Sequence, residues 1–173
     1  LSMPVGFKNG TDGSIQVAVD ACLSARSSHW FPSVTKEGVV AIFQTSGNPD
    51  AHIILRGGES GPNYDEKSVA ETRDMLVKHG LKPAIMIDAS HGNCGKDHKL
   101  MPAVFEKIVR QRAAGDTSII GAMLESNLVA GAQKFPQPPD QLVYGQSITD
   151  ACIDWETTEK LLLAAAATQS TSL

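Results

Sequence analysis

The chain has 173 residues, 42% hydrophobic and 20% charged, which is enough for one domain with a sizeable core and typical of a soluble globular protein. Its net charge of −4 argues against nucleic acid as a partner, because nucleic-acid-binding domains are usually basic. No apolar run reaches the roughly 20 residues that cross a membrane, and the opening residues LSMPVGFKNG lack signal-peptide features, so we expect a cytoplasmic protein with no membrane partner.

Four apolar segments are predicted to be β-strands, each followed by a polar or glycine-rich loop and then by a helical pattern. In chain order the strands are 4–8, 52–57, 83–90 and 118–126, and the helices are 14–25, 66–79, 101–114 and 157–167. The strands are apolar at nearly every position, which is typical of parallel strands covered on both faces. Repeated strand–loop–helix units predict an α/β fold, either a small open sheet or half of a (β/α)₈ barrel.

The segment 29–48, HWFPSVTKEGVVAIFQTSGN, interrupts this alternation between the first helix and the second strand. Two runs of strand-forming residues flank TKEG, which predicts an inserted β-hairpin. Pro32 favours an edge position for the first of its strands, since proline removes a backbone donor from the ladder.

Side chains able to do chemistry follow the predicted strands, and one more lies in the long loop after the fourth. In a (β/α)₈ barrel the carboxyl ends of all strands open into one mouth, where the active site lies. These side chains would therefore converge although the sequence separates them widely. They are Lys8 after the first strand, Arg56 after the second, Asp88 and His91 at the third, Glu125 at the fourth, and Asp150 in the loop.

The chemistry of these groups divides them into two sets. His91, Glu125 and Asp150 offer one imidazole and two carboxylates, which suit a divalent metal of the Mn, Fe, Co or Zn type. Lys8 and Arg56 are cations that suit phosphate and carboxylate oxygens. A metal beside an anion pocket implies a substrate that carries phosphate and carboxylate groups.

Simpler interpretations exist for most of these residues. A histidine or a cation at a strand end is often an ordinary loop residue, and Asp150 in SITDAC would also serve as an N-cap for a helix containing Cys152, Trp155 and Thr158. Glu125 is harder to explain in this way, because burying an unpaired carboxylate costs several kcal/mol. The three cysteines form no CxxC pair, so we expect reduced thiols.

Five motifs, in order and spacing, resemble the type I 3-deoxy-D-arabino-heptulosonate 7-phosphate (DAHP) synthases of enteric bacteria and fungi. They are PVGFKNGTDG, HIILRGG, IMIDASHGN, GAMLESN and YGQSITDACIDWE. The resemblance implies a (β/α)₈ TIM barrel, of which residues 1–173 would form the carboxy-terminal half, strands five to eight. It implies a transferase that condenses phosphoenolpyruvate with erythrose 4-phosphate, releasing phosphate, at the entry to aromatic amino-acid biosynthesis.

The resemblance also implies roles for single residues. Lys8 and Arg56 match the cations that bind phosphoenolpyruvate. His91, Glu125 and Asp150 match three metal ligands, with Asp150 also at the substrate and Lys8 and His91 serving catalysis. The family's fourth ligand, a cysteine on the first barrel strand, is missing. Since the chain opens almost directly into a strand and without methionine, we expect a fragment that needs the amino-terminal half of the barrel.

Three other functions stay open at this stage. 3-Deoxy-D-manno-octulosonate 8-phosphate synthase uses the same chemistry with arabinose 5-phosphate. A Schiff-base aldolase would use Lys8 but leave the three metal-type groups unexplained. A non-catalytic fragment that acts only in regulation or assembly is a third alternative.

The hairpin is predicted to be a regulatory element by the same resemblance. The family is often inhibited by aromatic amino acids, and its effector pocket matches Leu1, Ser2, Phe31, Ser33 and Phe43. Ser2 carries a side chain where glycine would leave more room, which favours phenylalanine over tyrosine. The alternative is that the apolar hairpin covers the barrel or packs against another subunit of a homo-oligomer.

Overall fold

The computed structural model describes residues 3–170, with side chains described as far as residue 168. The strands are β1 (Val5–Lys8), β2 (Trp30–Val34), β3 (Val40–Gln44), β4 (Ala51–Leu55), β5 (Ile85–Asp88), β6 (Ile119–Met123), β7 (Val129–Ala132) and β8 (Gln146–Ser147). The helices are α1 (Gln16–Arg26), α2 (Glu66–Lys78), α3 (Met101–Ala113) and α4 (Trp155–Ser170).

Four parallel strands in the order β1-β4-β5-β6 form the central sheet. The register pairs Gly6 with His52 and Ile53 with Ile85, so the carboxyl ends of neighbouring strands lie side by side. Within the described residues the sheet is open, with β1 and β6 at its edges. The predicted α/β fold with parallel strands is thereby confirmed.

The core lies between the central strands and the helices. Ile53 and Leu55 on β4, and Ile85 and Ile87 on β5, are fully buried against residues of α1, α2 and α3. Burying an aliphatic side chain of this size contributes about 1.5–3 kcal/mol. The edge strands are more exposed, with Ile120 of β6 at 53%. The continuous apolar pattern of the strands thus reflects burial on both faces only in the middle of the sheet.

Local signals place the ends of the two middle helices. Asp65 caps α2, since its side chain accepts hydrogen bonds from the N–H groups of Lys67 and Ser68. Gly80 follows α2 with a φ of 66°, and Gly115 follows α3 with a φ of 107°. Glycine adopts this left-handed conformation without a Cβ penalty, so it ends helices readily. Both helices lie within one residue of their predicted bounds.

The carboxy-terminal third of the chain departs from the predictions. The fourth sheet strand ends at Met123, short of 126, and the loop after it contains the short parallel pair β7–β8, which was not predicted. Helix α4 spans Trp155–Ser170, longer than the predicted 157–167. Asp154 accepts a hydrogen bond from the Thr157 N–H at its start, so the interpretation of Asp150 as the helix cap is wrong.

The predicted hairpin is confirmed as the antiparallel pair β2–β3. The rings of Phe31 and Phe43 stack across it with centroids 6.1 Å apart. Much of its apolar surface is exposed, including Trp30 at 66% and Ile42 at 67%. All three cysteines are unpaired and buried. None of the helices over residues 3–170 combines the length and apolar character needed to cross a bilayer.

Candidate active site

Four of the predicted site residues lie close together at the carboxyl end of the sheet. Lys8 ends β1, His91 follows β5, and Glu125 lies two residues beyond β6. The His91 Nε2 atom is 3.6 Å from Glu125 Oε1 and 3.6 Å from Asp150 Oδ2. Lys8 joins the group through Asp88, whose Oδ2 is 2.8 Å from Lys8 Nζ. The structure therefore brings four of the five candidate side chains together.

Arg56 directly follows β4 but does not contact this cluster. Its side chain lines a cleft of about 780 Å³, open to solvent, together with backbone of Gly57 and Gly92. In the described part of the chain its guanidinium has no hydrogen-bond or ion-pair partner. A partly buried, unpaired guanidinium is poised to accept an anion, because its five donors match phosphate and carboxylate oxygens.

His91, Glu125 and Asp150 meet the geometric requirement for a metal site. Each offers one ligand atom, and these atoms all lie within 4.8 Å of one another. Two ligands at ~2.1 Å from one ion in tetrahedral arrangement would be ~3.4 Å apart, close to the two 3.6 Å separations from His91 Nε2. The mixed nitrogen and oxygen donors suit Mn, Fe, Co or Zn. These side chains therefore fit a divalent metal.

The position of His91 depends on an unusual backbone conformation. Its φ is 52°, in the left-handed region, at the start of a short 3₁₀ helix (His91–Cys94). This conformation costs a non-glycine residue about 1–2 kcal/mol, so surrounding contacts must hold it. Ser90 is anchored by its N–H, which donates to Asp88 Oδ1 over 2.8 Å.

Asp88 links Lys8 to the side chains of His91, Glu125 and Asp150, which are called here the metal-type cluster. Its side chain is fully buried, and its Oδ2 lies 2.8 Å from both Lys8 Nζ and His91 Nδ1. The approach to Nδ1 is close but lies outside hydrogen-bond geometry, so among the described residues Nδ1 has no aligned hydrogen-bond partner. Carboxylates behind a ligating histidine orient the ring, and here Nδ1 faces Asp88 while Nε2 faces Glu125 and Asp150.

The environment of Glu125 is unfavourable for a lone carboxylate. Burial raises the pKa of this carboxyl group; the charge of His91 opposes the increase, while Asp150 and Asp88 reinforce it. Its backbone is fixed, because its N–H donates to Ser90 Oγ over 3.2 Å. Negative charge is thus concentrated where a divalent cation would relieve the repulsion.

The sequence analysis missed three asparagines that connect the loops of the site. Asn9 follows β1, Asn63 lies in the loop after β4, and Asn93 follows β5. Asn63 donates from its side-chain amide to Asn9 and from its backbone N–H to the side chain of Asn93. The side chains of Asn9 and Asn63 also hydrogen-bond the backbone of Arg56 and Gly57. The sequence did carry a signal for two of them. Asn9 directly follows Lys8 in GFKN, and Asn93 lies two residues after His91 in SHGN.

The predicted effector residues are only partly described. Leu1 and Ser2 lie outside the described residues. Phe31 is 43% and Phe43 37% exposed. A cleft of about 560 Å³ at the base of the hairpin is lined by neighbouring residues but not by Phe31, Ser33 or Phe43. The effector pocket therefore stays a prediction.

The chain is an α/β protein whose parallel sheet carries three metal-type donors, a paired lysine and an arginine without a partner among the described residues at its carboxyl edge. The chain belongs to the DAHP synthetase I family, whose family model matches residues 1–163. The resemblance inferred from the five motifs is confirmed.

Individual relatives agree with this assignment. The chain is 57% identical over 163 residues to a phospho-2-dehydro-3-deoxyheptonate aldolase of Alternaria alternata, covering 94% of this chain and 44% of the relative. It is 51% identical over 162 residues to the Tyr-sensitive aldolase of Escherichia coli, covering 94% and 45%. It is 51% identical over 168 residues to the phenylalanine-inhibited aldolase of Saccharomyces cerevisiae, again covering 94% and 45%.

A solved structure shows the same relation. Phospho-2-dehydro-3-deoxyheptonate aldolase from Francisella tularensis SCHU S4 superposes with a TM-score of 0.92 at 46% identity. The superposition covers 100% of this chain and 50% of that chain. The chain thus spans about half the length of these relatives.

Proposed function

We propose that the protein containing this chain is a DAHP synthase. It condenses phosphoenolpyruvate with erythrose 4-phosphate to DAHP and phosphate, the first step of the shikimate pathway, in the cytoplasm. The observation that carries the proposal is the juxtaposition of His91, Glu125 and Asp150 with the Lys8–Asp88 pair in a member of this family.

The proposal includes the fold of the whole domain. Residues 1–173 form strands five to eight of a single (β/α)₈ barrel, and the amino-terminal half completes it. Two observations support this. Over the described residues the sheet is open at β1 and β6, and this chain covers 50% of the superposed structure. Unpaired edges of parallel strands expose backbone donors and acceptors, which a second half-barrel would pair.

The proposed roles follow from the chemistry of the side chains. Lys8 and Arg56 bind the phosphate and carboxylate of phosphoenolpyruvate, so that its C3 faces the aldehyde of erythrose 4-phosphate. His91, Glu125 and Asp150 hold the divalent ion, and Asp150 also borders the aldehyde substrate. The ion supplies Lewis-acid activation of a carbonyl when it is bound.

The reaction balances without any further reactant except water. C3 of phosphoenolpyruvate forms a bond to the aldehyde carbon, whose oxygen takes up a proton, and positive character develops at C2. Water adds at C2 and loses one proton. The C2–O bond to phosphate then breaks, and the second proton of the water leaves with the phosphate, giving the ketone of DAHP. Lys8, with its ammonium held by Asp88, is placed to donate a hydrogen bond to a substrate oxygen.

The alternatives are less well supported by the geometry. The ammonium of Lys8 is engaged by the buried Asp88, which does not suit a nucleophilic amine for a Schiff base. A purely regulatory fragment leaves the grouping of five ionisable side chains unexplained. An octulosonate synthase using arabinose 5-phosphate would use the same chemistry, but the GFKNGTDG and SITDACIDWE motifs and the family match favour the heptulosonate enzyme.

The substrate assignment is tested on the full-length protein. With Mn²⁺, phosphoenolpyruvate and erythrose 4-phosphate, we expect equal amounts of phosphate and of a seven-carbon product, measured by phosphate assay and mass spectrometry. Arabinose 5-phosphate is the control aldehyde and is expected to turn over at least about tenfold less well. Preferential formation of the eight-carbon product would assign the octulosonate synthase instead.

We also propose that residues 29–48 help to form an effector site for an aromatic amino acid, with Phe31, Ser33, Phe43, Leu1 and Ser2 at its lining. The relatives named above as Tyr-sensitive and phenylalanine-inhibited support such a site. The exposed apolar surface of the hairpin is more than a solvated loop needs and also suits contact with another copy in a homo-oligomer.

Phenylalanine is expected to inhibit the full-length enzyme more strongly than tyrosine or tryptophan. The hydroxymethyl group of Ser2 would occupy space that the extra hydroxyl of tyrosine needs, so Ser2→Gly should improve tyrosine inhibition by about tenfold. Inhibition constants for the three L-amino acids, with the D-enantiomers as controls, measure this. If none inhibits, the hairpin is structural; if tyrosine already inhibits best with Ser2 present, the size argument is wrong.

A further inference from the structure

We propose that Asn9, Asn63 and Asn93 form a positioning network that fixes Arg56 and thereby sets the affinity for the phosphorylated anion. The three residues, called here the asparagine network, act through Arg56 and do not bind the substrate themselves. The inference rests on the role proposed for Arg56 and assigns three new residues to it.

The asparagine network holds both backbone polar groups of Arg56. The Arg56 N–H donates to Asn9 Oδ1 over 2.8 Å, and the Arg56 carbonyl accepts from the Asn93 N–H over 3.2 Å. Asn9 and Asn93 are each only 3% exposed. The backbone of Arg56 is therefore locked on two sides, while its guanidinium has no partner in the described part of the chain.

The next residue, Gly57, is held in the same way. Its N–H donates to Asn63 Oδ1 over 2.7 Å, and its carbonyl accepts from Asn9 Nδ2 over 3.0 Å. Its φ is 70°, and a Cβ there would lie 2.5 Å from the Gly92 carbonyl carbon. The loops after β4 and β5 are thus in backbone contact at Gly57 and Gly92. The side-chain amides of Asn9 and Asn63 hydrogen-bond the backbone of Gly57 at this point.

The network closes on itself and reaches the metal-type cluster. Asn63 Nδ2 donates to Asn9 Oδ1 over 3.2 Å, and the Asn63 N–H donates to Asn93 Oδ1 over 2.8 Å. Asn93 Nδ2 donates to the carbonyls of Leu55 and Asp88. The loops after three neighbouring strands are therefore tied together by side chains of one type.

Only amides satisfy all of these contacts. Asn9 accepts two hydrogen bonds at Oδ1 and donates two from Nδ2, to the carbonyls of Gly10 and Gly57. An ionised aspartate of the same shape would have no donor and would place its charge against these carbonyls. Such fully satisfied buried networks rigidify the groups that they connect.

The functional consequence follows from the geometry of anion binding by arginine. A bidentate contact requires both guanidinium donors to be placed within a few tenths of an ångström, and a misplacement of ~1 Å can cost about a hundredfold. Loosening the backbone that carries Arg56 should therefore weaken anion binding. Metal binding depends on His91, Glu125 and Asp150. Within the described residues Asn9 and Asn63 make no hydrogen bond to these three side chains, so metal binding should change little when either asparagine is replaced.

The test measures binding of phosphoenolpyruvate and of Mn²⁺ separately, by calorimetry on the full-length protein. Asn9→Ala and Asn63→Ala are each expected to raise Kd for phosphoenolpyruvate by about tenfold to a hundredfold and to change Kd for Mn²⁺ less than about twofold. Asn48→Ala is the matched control. Asn48 is also a buried amide with two hydrogen bonds, to Met3 and Asp50, but lies at the opposite end of β4.

A double-mutant cycle separates positioning from general destabilisation. If Asn9 acts through Arg56, Asn9→Ala should add no further loss of phosphoenolpyruvate affinity once Arg56→Ala is present. Asn9→Ser, which keeps an acceptor for the Arg56 N–H, should recover part of the affinity and serves if Asn9→Ala does not fold. Additive losses, or equal losses from Asn48→Ala, would overturn the proposal.

The same data distinguish failure of this inference from failure of the proposed function. If Arg56→Ala lowers affinity while the asparagine variants do not, the asparagine network is structural only. If Arg56→Ala itself leaves phosphoenolpyruvate binding unchanged, the role proposed for Arg56 is wrong, and the network has no anion site to position.

Discussion

Replacing His91 by alanine is expected to lower turnover by the full-length enzyme by about a thousandfold. The imidazole is the least exposed of the three metal-type ligands, and its Nε2 lies 3.6 Å from both carboxylates. Losing about 4 kcal/mol of Lewis-acid stabilisation in the transition state corresponds to such a factor. The fold should persist, because Asp88 keeps its ion pair with Lys8.

Three measurements check this expectation. The metal content of the variant should fall, its thermal unfolding should resemble that of the wild type, and its rate should fall as stated. His98→Ala is the control, since the His98 ring lies 4.0 Å from Asp97 and is not one of the three metal-type ligands. EDTA should abolish turnover by the wild type, and Mn²⁺ should restore it. Full activity in the presence of the chelator would refute the metal site.

Replacing Lys8 by alanine is expected to reduce turnover by at least about a hundredfold, with Lys8→Arg recovering only part of the loss. The Lys8 side chain is one-third exposed at the carboxyl edge, and its ammonium is fixed by the buried Asp88 over 2.8 Å. Removing it takes away a cation for the anionic substrate and leaves a buried carboxylate without its partner. Arginine restores the charge but not the compact geometry of the ammonium.

Because Asp88 loses its partner, stability has to be measured beside activity. Lys82→Ala is the control, since Lys82 forms an exposed pair with Asp50 and such pairs contribute about 0–1 kcal/mol. If Lys8→Ala unfolds, Lys8→Arg still decides the question through its rate and its affinity for phosphoenolpyruvate. Borohydride with substrate should leave no adduct on Lys8; a trapped adduct would establish the Schiff-base alternative.

Local patterns in the sequence were sufficient for much of the fold. Continuous apolar runs predicted the parallel strands, and Gly80 and Gly115 predicted the ends of α2 and α3, because these signals act over a few residues. The hairpin was predicted by two strand-forming runs around a turn. The family motifs also identified the residues that the structure brings to one edge of the sheet.

The predictions were weaker where the structure depends on contacts between distant segments. The length of β6, the β7–β8 pair and the start of α4 lie in a region rich in proline and glycine, with little periodicity to read. Their bounds are set by pairings such as Gly131 with Cys152, which local propensity does not encode. The cap of α4 is different: Asp154 contacts the N–H of Thr157 only three residues on, and the prediction assigned this local role to Asp150 instead.

The sequence by itself determined the type of fold, the family and the chemical types gathered at the site. Only the tertiary structure decided how these groups connect: Asp88 contacts both Lys8 and His91, and Asn9 and Asn93 hydrogen-bond the backbone of Arg56. Lys8 and Asp88 are 80 residues apart, and Asn9 and Arg56 are 47 apart. The sequence does not encode such hydrogen bonds locally. They form because the register of the parallel strands places their carboxy-terminal loops side by side, within the roughly 3 Å that a hydrogen bond requires.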